Sequence, residues 1–390
     1  MKLPARRALL LLAPALLAAP PGLWAATRSL PDEIIVTATR YPTPALEFAG
    51  NTARVEEDRI DLLNAAHIHE VGTQVPGVWL SRGSGQEHLT AIRSPVLTGP
   101  GSCGSFLVLE DGIAIRPTGF CNVNELFELP AEQAAALEVI RGPGTALYGS
   151  NAVHGTLNVL LPEPGQRGIE VSGESGPNRF VRGKVLLNAP LDAGVGTGLV
   201  AGLLFDHDGG FRAESDYRQA KGFLKYATNL ATGRLELGLS GNVLDQETAG
   251  FIIGEDTYKN EAIRLTNPNP ESYRDANAQR LSARWRPATN TADSGWDVIG
   301  FLRRSDMDFL QHFLLGQPTE KNGQASGGVT LLRYATLGDA RVTAGFDVEI
   351  ARGFLATRPA RPACTTTTTP GSGSPRPTPR PSTRCPNASR

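Results

Sequence analysis

The amino-acid sequence predicts an α+β domain followed by an antiparallel transmembrane β-barrel, in an exported chain. Three observations predict it. Lys2, Arg6 and Arg7 precede an apolar run, Ala8–Ala19, with small residues at Ala25 and Ala26: the pattern of a secretory signal over residues 1–26. Residues 45–166 combine one helical apolar stripe with short apolar runs punctuated by glycine and proline. From residue 168 an apolar/polar alternation of period two takes over.

The signal's apolar core is too short to span a bilayer, and Pro14, Pro20 and Pro21 argue against a buried helix. No later stretch holds about 18 uncharged apolar residues, so a membrane role requires a barrel. The 38 Lys+Arg against 39 Asp+Glu in 390 residues leave no electrostatic footprint for nucleic acid. Length is a weak prior for two or three domains. Four cysteines in an exported chain point to disulfides.

Residues 27–44 follow the signal. Four β-branched residues in a row, Ile34-Ile35-Val36-Thr37, favour an extended conformation. Pro31 on one side and Pro42 and Pro44 on the other keep the run apart from the fold. Taken alone, it is either an ordinary first strand or a tethered strand that adds to a partner's sheet edge.

Within 45–166, Asp58 is expected to cap a helix whose stripe is Ile60, Leu63 and Val71. Strands are expected at Val78–Leu80, Leu89–Arg93 and Phe106–Leu109, with a turn at Glu110-Asp111-Gly112. His67 and His69 lie two apart on the expected helix and share no face, so they are read as solvent-facing or satisfied core residues, with no metal site. Cys103 and Cys121 flank the third strand; the compartment favours a disulfide between them over two free thiols. Residues 137–160 read as two strands joined by a loop rich in Gly, Pro, Asn and Ser, with one aromatic, Tyr148. A phosphate loop would end Gly-Lys-Ser/Thr, and a dinucleotide fingerprint would open a helix; neither fits here. There is no Gly-x-Ser-x-Gly elbow and no His-Glu-x-x-His, so no hydrolytic chemistry has residues to rest on.

Over 167–358, Leu235, Leu237, Leu239 and Val243 oppose Arg234, Glu236, Ser240 and Asn242. Leu281, Ala283 and Trp285 oppose Arg280, Ser282 and Arg284; Val342, Phe346, Val348 and Ile350 oppose Arg341, Asp347 and Glu349. A soluble sandwich also alternates. Strands of ~10 residues behind a signal suit an outer-membrane barrel, apolar outside and polar inside. Residues 246–275 lack the alternation and read as a long extracellular loop carrying Phe251, Tyr258 and Tyr273.

Several motifs occur together and in one order: Val75-Pro76-Gly77-Val78, Ile92-Arg93, Val108-Leu109-Glu110-Asp111-Gly112 and Glu138-Val139-Ile140-Arg141-Gly142, then Tyr148-Gly149. With these the segment resembles the plug domain of TonB-dependent outer-membrane receptors, over about 130 residues. The resemblance implies a plug-motif set of Glu138, Arg141, Gly142, Pro143, Tyr148 and Gly149. It makes Asp32, Glu33, Ile34, Ile35, Val36, Thr37 and Ala38 a TonB box, to which the periplasmic protein TonB adds as a strand and pulls. It implies a receptor in the outer membrane of a Gram-negative bacterium, contacting lipid and an extracellular ligand, with no cofactor and no enzymatic activity. The cargo would be a scarce nutrient, a metal chelate such as a ferric siderophore. Leu97, Ser102, Phe120, Asn122, Phe251 and Tyr258 are the ligand-contact candidates. A binding or signalling module without transport, and a non-functional fragment, are the competing readings.

The chain departs from the family in its barrel. A plugged transporter barrel has ~22 strands. Residues 168–358 supply only about 8 to 10. Residues 359–390, with eight Pro and seven Thr, hold no acid or aromatic and are expected to be disordered. They look like an out-of-frame or misassembled end, or else a Pro/Thr linker, and the chain as given is expected not to close a barrel.

Overall fold

The computed structural model describes residues 34–35, 40, 43–44, 48, 50–96, 105–144, 146–192, 196–291 and 293–359. The expected signal, most of the box and the 360–390 tail lie outside these residues. No described helix is long and apolar enough to cross a membrane.

The first described strand, β1 (Ile34–Ile35), pairs antiparallel with β2 (Thr43–Pro44). Next come β3 (Thr52–Glu56), α1 (Glu57–Leu63), α2 (Ile68–Gly72), β4 (Val78–Arg82), β5 (His88–Ile92), β6 (Phe106–Glu110), β7 (Ile113–Ala114), β8 (Ala136–Arg141) and β9 (Gly155–Leu160). Five of them form one sheet in the order β3-β8-β9-β6-β7, and β4-β5 is a separate hairpin. Within the sheet β6 and β9 run parallel, and the other pairs are antiparallel. The β6–β7 turn puts Asp111 at φ 48° and Gly112 at φ 79°, the left-handed conformations that an Asp-Gly turn accepts.

The expected single helix is two. Asn64, at φ 42°, ends α1 in a left-handed cap. Asp58 lies in the first turn of α1 rather than at its cap, which is Glu56. His67 caps α2, its ring accepting from the His69 backbone N–H, in a reciprocal box with Glu70. His67 is therefore a buried capping residue. Ile60, Val71, Leu126, Leu137 and Leu157 form the core of this α+β domain, and Val200 and Phe223 from the following sheet join it.

That sheet has nine strands: β10 (Gly168–Gly176), β11 (Phe180–Pro190), β12 (Gly198–Asp208), β13 (Tyr217–Leu230), β14 (Gly233–Glu247), β15 (Tyr273–Pro287), β16 (Ser294–Leu310), β17 (Thr319–Leu337) and β18 (Ala340–Arg358). Each pairs antiparallel with its chain neighbours, in an uninterrupted meander. Among the described residues β10 and β18 each pair on one side only, so the sheet is an open part of a barrel. The four connections at one rim, 177–179, 209–216, 248–272 and 311–318, include the longest; 231–232 and 338–339 at the other rim are tight. Outer-membrane barrels carry long loops outside and short turns inside.

The alternation puts Leu237, Leu239, Val243, Leu281, Leu302, Val329, Phe346 and Ile350 on the exposed convex phase. Arg182, Gln219, Lys221, Lys225, Ser240, Arg280 and Arg303 lie buried on the opposite phase, against the α+β domain. The apolar band has defined edges. Trp285 is registered with Leu235 and Val298 near the short turns. Near the long loops, Arg218, Asp245, Asp275, Asp308 and Lys321 are successive cross-strand partners on that convex phase. The convex face thus carries an apolar band bounded by Trp285 on one side and by charged residues on the other, the pattern that outer-membrane barrels turn towards lipid.

Candidate functional site: the α+β domain and its seat in the barrel wall

The 137–160 motif ties the strands of the domain together. Glu138, 1% exposed, receives the Arg54 guanidinium at 2.6 Å. Arg141 donates to the carbonyl of Pro76 at 2.7 Å and of Thr52 at 2.8 Å, tying β8 to the β4 entry and to β3. Gly142 (φ 122°) and Gly149 (φ 75°) hold conformations that side chains resist, so these positions need glycine. A Cβ at Gly144 would come within 2.6 Å of the Ala152 methyl, so the loop also closes on itself there. Pro143 sits between these glycines and interrupts any helix. Tyr148 lies under Arg40, whose guanidinium carbon is 4.6 Å from the ring centroid. Burial pushes the Tyr148 hydroxyl well above its ordinary pKa, so it stays protonated.

Arg40 stands two residues beyond Ala38, the end of the expected box, and reaches the barrel wall. It donates to Asp347 of β18 at 2.9 Å and to Thr330 of β17 at 3.4 Å. Of the box itself, only the Ile34–Ile35 backbone is described; Asp32, Glu33, Val36, Thr37 and Ala38 lie outside the described residues.

Ion pairs fix the domain in the wall. Lys221 meets Glu132 at 2.7 Å, Lys225 meets Asp111 at 3.1 Å, and Arg274 meets Glu87 at 2.7 Å. Arg280 lies 3.4 Å from Glu110 and 3.6 Å from Glu128. Arg303 holds Glu349 and the carbonyl of Ala114. Glu128 also holds Arg116, which donates to Ser305 of β16 at 3.2 Å.

The loop before this network carries the expected ligand contacts. Cys121 is disulfide-bonded; Cys103, its expected partner, lies outside the described residues, as do Leu97 and Ser102. Phe120 occupies the space above Gly353 of β18, where any Cβ would overlap its ring. Asn122 reaches Met307 of β16, and its N–H donates to Glu125 at 3.1 Å. Burial pushes the Glu125 carboxyl up to about 7, against the pull of Arg116. Phe120, Cys121, Asn122 and Glu125 line one small pocket. Phe251 and Tyr258 stand apart from them, exposed in the 248–272 connection. The Phe251 ring lies 5.4 Å from His312 of the neighbouring loop, and Lys259 stands 5.7 Å from the Tyr258 ring.

At the short-turn end a cavity of about 850 Å³ separates domain and wall. Arg54, Glu163, Lys225, Arg284, Arg286 and Asp297 are among its lining residues. No group of three or more His, Cys, Asp or Glu placed to hold a metal ion occurs among the described residues.

An α+β domain held by polar contacts against the inner face of an open antiparallel wall defines a plug seated in part of a β-barrel. Residues 44–156 match the TonB-dependent Receptor Plug Domain model, so this segment is similar to that plug domain. Solved structures agree in fold. The ferripyoverdine receptor of the outer membrane of Pseudomonas aeruginosa is 14% identical, with a TM-score of 0.67 over 83% of this chain and 45% of its own. The ferric citrate transporter FecA is 17% identical, with a TM-score of 0.63 over 80% and 48%. The ferric-catecholate import receptor Fiu from Escherichia coli K12, in an open form, is 17% identical, with a TM-score of 0.59 over 82% and 52%. The chain thus spans about half the length of the solved structures it matches.

Sequence reasoning missed Lys221, Lys225 and Arg274 as seat residues, and Arg40 as a bridge. Gln219, Lys221 and Lys225 at even spacing on one strand were the available signal: they share one phase of the strand, interleaved with Tyr217, Phe223 and Ala227.

Proposed function

We propose that this chain is the plug-bearing part of a TonB-dependent receptor that takes up a scarce nutrient, a metal chelate such as a ferric siderophore, across the outer membrane of a Gram-negative bacterium. The observation that carries the reading is a plug seated by side-chain contacts inside a wall whose outer face is apolar. A plug held by contacts that can be broken is suited to being moved rather than to catalysis. Further barrel strands would extend the sheet at β10 and β18. TonB would add to the Asp32–Ala38 run as a strand, through backbone hydrogen bonds. A disulfide from Cys103 to Cys121 would hold the Leu97–Ser105 and Pro117–Asn122 loops together beneath the ligand. Leu97, Ser102, Phe120, Asn122, Phe251 and Tyr258 are the proposed ligand contacts.

The test is uptake in cells expressing the receptor from its own gene. Ile35→Pro removes a backbone donor within the box. Iron accumulation from a supplied chelate should fall to the level of a strain lacking TonB, while chelate binding to the cells is kept. Uptake that persists with Ile35→Pro, or without TonB, would remove the reading.

A further inference from the structure

The β4–β5 hairpin of the plug meets the wall through its turn, Gly83-Ser84-Gly85-Gln86-Glu87. One wall side chain closes on that turn. Gln246 of β14, 1% exposed, accepts from the Gln86 backbone N–H at 2.7 Å and donates to the Ser84 carbonyl at 3.2 Å. A carboxamide offers an acceptor and a donor at one side-chain end, which neither a carboxylate nor an aliphatic group does. Gly85 stands at φ 52°, and a Cβ there would lie 2.2 Å from the Gln246 Oε1. Only glycine at that position lets the carboxamide approach. Arg274, the cross-strand partner of Gln246, takes the last residue of the turn, Glu87, at 2.7 Å.

The clasp continues into the long connections. Gln246 donates also to Thr248 at 3.3 Å, and the Ala249 backbone N–H donates to the Ser84 hydroxyl at 3.0 Å. Arg212 of the 209–216 connection spans the base of 248–272, donating to the Gly250 carbonyl at 2.7 Å and to the Thr266 carbonyl at 2.8 Å. The Ala213 N–H reaches the Leu265 carbonyl at 2.9 Å, and the Asn267 amide reaches the Glu214 carbonyl at 2.8 Å. The two connections are thereby one hydrogen-bonded body, and Ala249 and the Gln246 clasp join that body to the plug turn. Bonds of this kind are lost when donor and acceptor part by about 1 Å. The join therefore lasts only while the hairpin is seated.

We propose that Gln246 is the positioning residue through which the seated plug hairpin fixes the 209–216 and 248–272 connections, and that displacing the hairpin frees both together. This rests on the receptor reading above, in which Phe251 and Tyr258 of the 248–272 connection contact the ligand, and it adds a regulation of that site. Capture belongs to the seated plug, and the hold on the ligand relaxes as the plug moves. Coupling between sites is reciprocal, so a ligand that fixes the connections also favours the seated hairpin.

Amide hydrogen exchange on the intact receptor, purified without ligand, reads the coupling directly. Peptides are followed from the turn 83–87, from 209–216 and 248–272, and from plug strands β8 and β9. Gln246→Met keeps the side-chain length and removes both bonds to the turn. Exchange in the turn and in both connections should rise together by about tenfold, as expected for the loss of two modest hydrogen bonds. Strands β8 and β9 should keep wild-type rates. Ser84→Ala comes from the plug side and deletes only the hydroxyl that Ala249 donates to. It should speed exchange in 248–272 severalfold, although the substitution lies in another domain. Arg212→Gln should loosen the connections from each other and leave the turn at its wild-type rate. If Gln246→Met loosens the turn alone, the clasp merely docks the plug and the inference is overturned. Unchanged exchange of 248–272 in Ser84→Ala would overturn it too, even where Gln246→Met fails to assemble. None of these readouts involves uptake, so the receptor reading stands or falls separately, by the Ile35→Pro experiment.

Discussion

Arg40 lies over Tyr148, its guanidinium carbon 4.6 Å from the ring centroid, and its outer nitrogen reaches Asp347 at 2.9 Å. One side chain thus joins the segment behind the expected box, the plug motif and the barrel wall. Any pull on the box arrives at Arg40 before it arrives at the plug sheet.

Arg40→Ala should therefore release the leading segment without unfolding the plug. The Asp347 carboxylate is half exposed, so the ion pair contributes under about 1 kcal/mol, and the stacking on Tyr148 about as much. Limited proteolysis should cut residues 34–48 several times faster in the variant, while the 50–160 core resists as before. An unchanged cleavage rate would show that Arg40 holds nothing.

Glu125 gives a pH dependence with a definite sign. Its carboxyl is raised from 4.5 to about 7 by burial, so the fold favours the protonated form. Its contribution to stability is full below about 4.5 and is lost as pH rises through about 7. Amide exchange at Asn122, whose N–H Glu125 accepts, should accelerate across that window. Glu125→Gln should abolish this window and protect the loop more than wild type at pH 8. A variant with the same pH profile as wild type would place the titration elsewhere.

Both layers of the fold were legible in the sequence, each for its own reason. The wall's period-two alternation is set by each side chain facing either the exposed convex side or the plug, and a two-sided environment writes itself into the chain. The plug strands were legible from their turn residues, Gly77, Gly112 and Gly142, each at positive φ. The helix was misread because Ile60, Leu63 and Val71 fit one stripe, while nothing in Asn64 alone announces a left-handed cap. The seat was illegible because Lys221 and Glu132 are 89 positions apart and meet only when the domain enters the barrel. The long-connection rim scattered the expected ligand contacts: Phe120 packs inward above Gly353, whereas Phe251 and Tyr258 stand exposed on the 248–272 connection.

The cysteine expectation is checked by mass spectrometry. Peptides carrying Cys103 and Cys121 should be recovered linked from unreduced protein. Closing a loop of roughly 18 residues, the bond should add ~3 kcal/mol in the chain-entropy model. Alkylation of Cys103 without reductant would assign the Cys121 bond to another cysteine.

The outer face yields the last prediction. Leu239 lies midway along β14, half exposed, on the apolar convex phase between Leu237 and Val243. Asp245 lies on the same phase six residues further, at the charged edge where it is registered with Asp275. If this face meets lipid, a charge at the two positions has very different consequences. Leu239→Lys places an ammonium near the bilayer midplane, which costs about 2–4 kcal/mol, whereas Asp245→Lys at the interface costs about 0–1 kcal/mol. If the face met water, as in a soluble sandwich, both changes would be nearly silent, since surface substitutions usually stay within about 0.5 kcal/mol. The amount of receptor assembled in the outer membrane, measured for each variant, separates the two cases. A large loss for Leu239→Lys with near-normal assembly for Asp245→Lys is the expected result. Equal assembly of both would mean that the convex face of β14 is not lipid-facing.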